Sequence, residues 1–123
     1  MGRVLVVDDE PEVREVVSIF LRKKGYDIDK CETGEDALDA LERNGIYDVV
    51  IMDNRMPGLR GQEVLSRMRE KGMTTPVILL TGSIGTEERS TEADKFLRKP
   101  IDLNELFNDV KELSAADDRQ AGE

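Results

Sequence analysis

Histidine is absent from this sequence, and cysteine occurs once, as Cys31. Without histidine the commonest general base is missing, so a Ser-His-Asp triad and a histidine-held zinc hydrolase are excluded. A lone thiol can form neither an internal disulfide nor a cysteine cluster for zinc. Long apolar runs are lacking too: none approaches the roughly 18 residues of a membrane span, and no membrane partner is expected. Met1, Gly2 and Arg3 lead straight into a strand-like run that ends in acids, which is not a signal-peptide pattern, so the expected compartment is the cytoplasm. Positive charge is outnumbered. The chain carries 18 Lys and Arg against 27 Asp and Glu, a net charge of −9. Its basic residues form only short clusters, such as Arg22, Lys23 and Lys24, so no direct nucleic-acid contact is expected. Carboxylate chemistry is what remains.

A length of 123 residues fits one domain with one core, and 38% apolar with 37% charged residues describes a soluble globular chain. Val4 to Val7 is a continuous apolar run closed by Asp8 and Asp9, as expected of a strand buried on both faces. Val13, Val16, Val17, Phe20 and Leu21 then recur at helical spacing after Pro11, with Gly25 as a stop. Tyr26 to Cys31 alternates like an edge strand, and Thr33 caps a helix that Asn44 and Gly45 end. Val49 to Met52 is a second buried run, ending on Asp53 before a turn at Pro57 and Gly58. A helix with Val64, Leu65 and Met68 follows, then the run Val77 to Leu80 ending at Thr81, and a short strand from Lys95 to Arg98 before Lys99 and Pro100. Asp102 and Glu105 have capping-box spacing at the start of a last helix lined by Leu103, Leu106, Phe107 and Val110. The domain is expected to span residues 1–113, with a flexible acidic tail over 114–123.

Strands alternating with amphipathic helices imply an α/β fold with a parallel sheet covered on both faces. Ligands in such folds bind beyond the carboxyl ends of the strands. Asp8, Asp9, Asp53, Thr81 and Lys99 all fall there. Clustered carboxylates offer hard oxygen ligands suited to Mg2+, and a hydroxyl and an ammonium can share the charge of a phosphoryl group. One carboxylate is then left as a nucleophile. Each residue also has a plainer role to offer. Asp8 and Asp9 suit a helix cap, Asp53 an Asx turn, Thr81 a strand, and Lys99 a solvated surface. Their joint placement at strand ends favours the site.

The sequence resembles the receiver domains of two-component response regulators. The likeness rests on V-L-V-V-D-D-E ending at Glu10, V-I-M-D-N-R-M-P-G from Val50 to Gly58 with Gly61 following, L-L-T-G from Leu79 to Gly82, and F-L-R-K-P from Phe96 to Pro100. It covers Arg3 to Leu113 and implies a flavodoxin-like five-stranded parallel sheet of order 2-1-3-4-5 with helices on both faces. The resemblance implies that Asp53 is the phosphoacceptor and Asp9 a direct Mg2+ ligand. Asp8 would act on the metal through water, and the backbone carbonyl of Arg55 would complete the ligands, with Mn2+ as an alternative ion. Thr81, Gly82 and Lys99 match the phosphate-gripping positions, Thr81 and Phe96 the moving switch pair, and Lys99-Pro100 a cis peptide. Arg55 and Ser83 stand where phosphoryl lifetime is tuned. The implied partners are a histidine kinase or phosphotransfer protein, and an unidentified protein target or a second copy. Such a chain is no enzyme beyond Mg2+-dependent catalysis of its own phosphorylation and dephosphorylation.

Two other functions compete. One is a receiver-like interaction module that works without phosphorylation, against which the intact acid, threonine and lysine set argues. The other is an Asp-nucleophile phosphatase, which usually needs a second acid soon after the nucleophile; Asn54 and Arg55 stand there instead. One region departs from the family pattern. Between Ser83 and Asp94 only Ile84 and Ala93 are apolar, so the helix expected between the fourth and fifth strands is short, distorted or absent. If no helix covers that part of the sheet, apolar side chains of those strands are left for a partner or a second copy to cover.

Overall fold

The computed structural model describes residues 2–82 and 93–121. Five parallel strands form one sheet in the order β2-β1-β3-β4-β5: β1 Arg3–Val7, β2 Asp27–Cys31, β3 Val49–Asp53, β4 Val77–Thr81 and β5 Lys95–Arg98. Among the described residues, four helices connect or follow them: α1 Pro11–Lys23, α2 Gly34–Asn44, α3 Gly61–Glu70 and α4 Leu103–Ala121. This is the expected flavodoxin-like arrangement.

The period of two along a strand divides the core into two layers. Val4 and Val6 of β1, with Val49 and Ile51 of β3, face Val17 and Leu21 of α1 and Leu106 and Val110 of α4. Leu5 and Val7, with Val50 and Met52, face Ala37 and Leu41 of α2 and Val64, Leu65 and Met68 of α3. Central strands buried on both faces therefore read as unbroken apolar runs, which is what made them legible. Helix ends follow local chemistry as well. The Thr33 hydroxyl accepts from the Asp36 N–H at 3.1 Å, and Gly45 takes the left-handed conformation that ends α2. The Asp102 carboxylate accepts from the Asn104 and Glu105 N–H groups.

Two expectations need adjustment. The sequence places a flexible tail from residue 114, but α4 stays helical through Ala121. Ser114 is buried, its hydroxyl donating to the Val110 carbonyl at 2.6 Å, and the alanines, Arg119 and Gln120 that follow favour helix, with no glycine before Gly122. Exposure of the fourth strand is not seen either, since β4 is buried along its whole length. On β5, Leu97 is buried and Phe96 is 39% exposed. The helix expected between β4 and β5 falls mostly on residues 83–92, outside the described residues, as does Ser83.

Candidate functional site

The chain leaves β1 toward β2 on one side and later returns to β3 on the other. The carboxyl ends of β1 and β3 therefore border the crevice where such sheets bind ligands. Asp53 is the last residue of β3, which is paired on both sides, and only 4% of it is exposed. Asp8 and Asp9 follow β1, Thr81 closes β4, and Lys99 follows β5, where its N–H donates to the Thr81 carbonyl at 2.8 Å. The Lys99-Pro100 peptide is cis.

The loop after β1 is held by its own backbone and one long side chain. The Asp8 N–H donates to the Cys31 carbonyl at 3.2 Å, and Arg14 Nη1 donates to the Asp8 carbonyl at 2.8 Å. Asp8 Oδ1 accepts from the Glu10 N–H at 2.9 Å. The capping role weighed for the two aspartates is not taken: Glu10 occupies the N-cap position of α1, and its side chain makes no cap hydrogen bond. The loop after β3 is fixed by tight packing. The Gly61 N–H donates to the Asn54 carbonyl, and a Cβ on Gly61 would lie 2.6 Å from the Asp53 carbonyl oxygen, so only glycine fits. Asp53 does make the Asx-type contact weighed for it, accepting from the Arg55 N–H at 3.3 Å through Oδ1.

Its other oxygen turns to the cluster. Lys99 Nζ lies 3.3 Å from Asp53 Oδ2, 3.1 Å from Asp8 Oδ2 and 2.7 Å from Glu10 Oε1. With a side chain 17% exposed, Lys99 is no solvated surface cation. Burial, and then the charge of Asp8, push the Asp53 carboxyl up to about 6, against the opposing pull of Lys99. Burial raises Asp8 as well. Burial works against the charged form of Lys99, but hydrogen bonds to Glu10 and Asp8 and the charge of Asp53 outweigh it and hold the ammonium above its ordinary range.

A single ammonium leaves these acids undercompensated. One carboxylate oxygen from each of Asp8, Asp9, Glu10 and Asp53 lies within 4.8 Å of the others. Asp8 Oδ2 is fully buried and, apart from its ion pair with Lys99, has no hydrogen-bond partner among the described residues. An orphaned buried carboxylate oxygen beside other acids fits a small oxygen-preferring divalent cation such as Mg2+.

Of the residues singled out in the sequence, Asp8, Asp9, Asp53, Thr81 and Lys99 come together at this edge. Gly82 follows Thr81, and among the described residues nothing lies within 4 Å of where its Cβ would stand. Arg55 is next to the acid cluster through its N–H, its side chain exposed. Phe96 lies on β5, one residue from the buried Leu97 and on the opposite face. Two residues escaped the sequence reading. Glu10 was legible as the third acid of the run after β1, but its contact with Lys99, 89 positions away, was not. Arg14 carries no sequence signal for its bond to the Asp8 carbonyl.

Known proteins resemble this chain in sequence and fold. The family profile described as response regulator receiver domain matches residues 4–111. The transcriptional regulatory protein ResD of Bacillus subtilis is 38% identical over 116 residues, 90% of this chain and 47% of that protein. DltR of Streptococcus agalactiae, also named a transcriptional regulatory protein, is 35% identical over 113 residues, 89% of this chain and 50% of that protein. The chain thus spans about half the length of these curated relatives. Among solved structures, the response regulator protein TrrA of Thermotoga maritima, in complex with Mg2+-BeF, is 42% identical. That likeness has a TM-score of 0.81 and covers 92% of this chain and 99% of that one. The receiver domain of the Francisella response regulator 1452 gives 30% identity and a TM-score of 0.87, covering 94% and 98%.

Proposed function

Because the chain belongs to the response regulator receiver domain family, we propose that it is a Mg2+-dependent phosphoacceptor switch, with Asp53 receiving a phosphoryl group from a histidine kinase or phosphotransfer protein. The observation that carries this is Asp53 itself: a buried carboxylate at the crevice, with an ammonium 3.3 Å away on one oxygen and an acid cluster suited to a divalent ion around it. The Asp53 carboxylate attacks phosphorus as the bond to the donor's leaving group breaks, and the leaving group departs with that electron pair. Lys99, the Thr81 hydroxyl and the Gly82 N–H take up charge on the phosphoryl oxygens. Asp8, Asp9, Asp53 and the Arg55 carbonyl are the groups to hold Mg2+ or Mn2+, which supplies further neutralisation of the phosphoryl charge when bound.

The readout is conformational. In the switch reading, the Thr81 hydroxyl moves to the phosphoryl group and Phe96, exposed here, turns inward, which alters the surface around β5 that a protein target or second copy contacts. Arg55 and Ser83 set how long the phosphoryl group survives. The chain acts as a signalling module that runs through α4, and catalyses nothing beyond its own modification and its reversal. No helix among the described residues is long and apolar enough to cross a membrane, in keeping with a cytoplasmic role. The two relatives are transcriptional regulators twice as long, so a DNA contact, where there is one, belongs to the half this chain does not match; a net charge of −9 disfavours it here.

Intact mass after incubation with acetyl phosphate tests the proposal. The expected result is a Mg2+-dependent gain of one phosphoryl group that Asp53→Asn abolishes. A folded protein that gains none, from acetyl phosphate or from kinases, is instead an interaction module independent of phosphorylation.

A further inference from the structure

Lys99 is shared between two kinds of acid. Asp8 and Asp53 are inner partners, 0% and 5% exposed in their side chains, at 3.1 and 3.3 Å. Glu10 is an outer partner, 58% exposed, yet it makes the shortest contact at 2.7 Å. Both inner acids belong, with Asp9 and Glu10, to the group whose oxygens converge where a divalent cation would sit. An ammonium resting against them is a built-in monovalent competitor for that ion. The outer carboxylate gives the ammonium a second place to rest, away from Asp8 Oδ2, a buried oxygen with no hydrogen-bond partner among the described residues.

We propose that Glu10 is a positioning residue that draws the Lys99 ammonium outward, clearing Asp8 and Asp53 for the divalent cation while keeping Lys99 at the crevice for the phosphoryl group. This rests on the phosphoacceptor reading and deepens it. Glu10 neither carries the phosphoryl group nor needs to bind the ion; it acts through Lys99. When the ion enters, Lys99 exchanges its contact with Asp8 for full pairing with Glu10. Without Glu10 the ammonium settles between the inner acids, and the ion has to displace it.

The test is calorimetric titration of Mg2+ into four proteins: the natural chain, Glu10→Gln, Lys99→Met and the double variant. With Lys99 present, loss of Glu10 is expected to weaken Mg2+ binding by roughly three- to fivefold. In the Lys99→Met background the same change is expected to cost clearly less, under about twofold. Equal losses in both backgrounds overturn the proposal, since Glu10 then acts as a bare charge or as a ligand. Glu10→Asp tests the same point on a chain that keeps every charge: the shorter side chain falls short of Lys99, so Mg2+ binding weakens if the contact matters, and unchanged binding overturns it. Failure of the natural chain to bind Mg2+ at all overturns the phosphoacceptor reading itself, an outcome distinct from either.

Discussion

Ile51 and Asp53 are two residues apart on β3, and both are buried, but they contribute to the fold in opposite senses. Ile51 sits between α1, α4 and neighbouring strands with nothing polar to satisfy. Asp53 sits at the crevice with a carboxyl that burial and a neighbouring acid both disfavour in its charged form. The strand interior is built for stability, and its end carries a charge that burial makes costly. Function on this sheet is thus a matter of where a strand stops, not of which strand it is.

The largest effect expected on either side of this contrast is at Ile51. Ile51→Ala should destabilise the chain by about 3–4 kcal/mol in chemical denaturation, through lost burial and the cavity left behind. A cost under about 1 kcal/mol would mean the layer can collapse around the gap and the contrast is weaker than drawn. Asp53→Asn should move stability the other way. In the folded chain Asp53 titrates near 6, against an ordinary value of about 3.9 when unfolded. The folded state therefore binds more protons between those values, and stability falls as pH rises through that window. Asparagine has no proton to lose, so without divalent ions the variant should be more stable than the natural chain by about 3 kcal/mol at pH 7. That advantage should vanish by about pH 4, and denaturation at the two values reads it directly. An unchanged difference would show that Asp53 is not the group whose charge is costly. Arg14→Ala should have the smallest effect, about 1 kcal/mol, by releasing the Asp8 carbonyl. Faster amide exchange at Glu10, whose N–H is held by Asp8, would place the change in that loop and not in the core.

The fold was legible because its central strands are covered on both faces and so appear as uninterrupted apolar runs, each punctuated by a polar residue. Asp8, Asp53 and Thr81 stood out by that punctuation, and Lys99 by its place after the short run of β5. What did not show was any contact whose partners are joined only by tertiary structure. Glu10 and Lys99 are separated by nearly the whole domain, and Arg14 reaches a backbone carbonyl, which has no sequence identity at all. The far end of α4 was misjudged for a different reason: acidic and small residues resemble a tail by composition, while alanine and glutamine at those positions sustain a helix.

The ion pairs that gather Asp8 and Glu10 around Lys99 also set a condition on assembly. A chain still being synthesised, complete through β4, holds the acids, Asp53 among them, but lacks the ammonium, which arrives only with the residue after β5. Closing a loop of 89 residues brings it in. On the phosphoacceptor proposal, competence comes only with the last strand, since a copy truncated before it has the acids at the crevice and no ammonium among them.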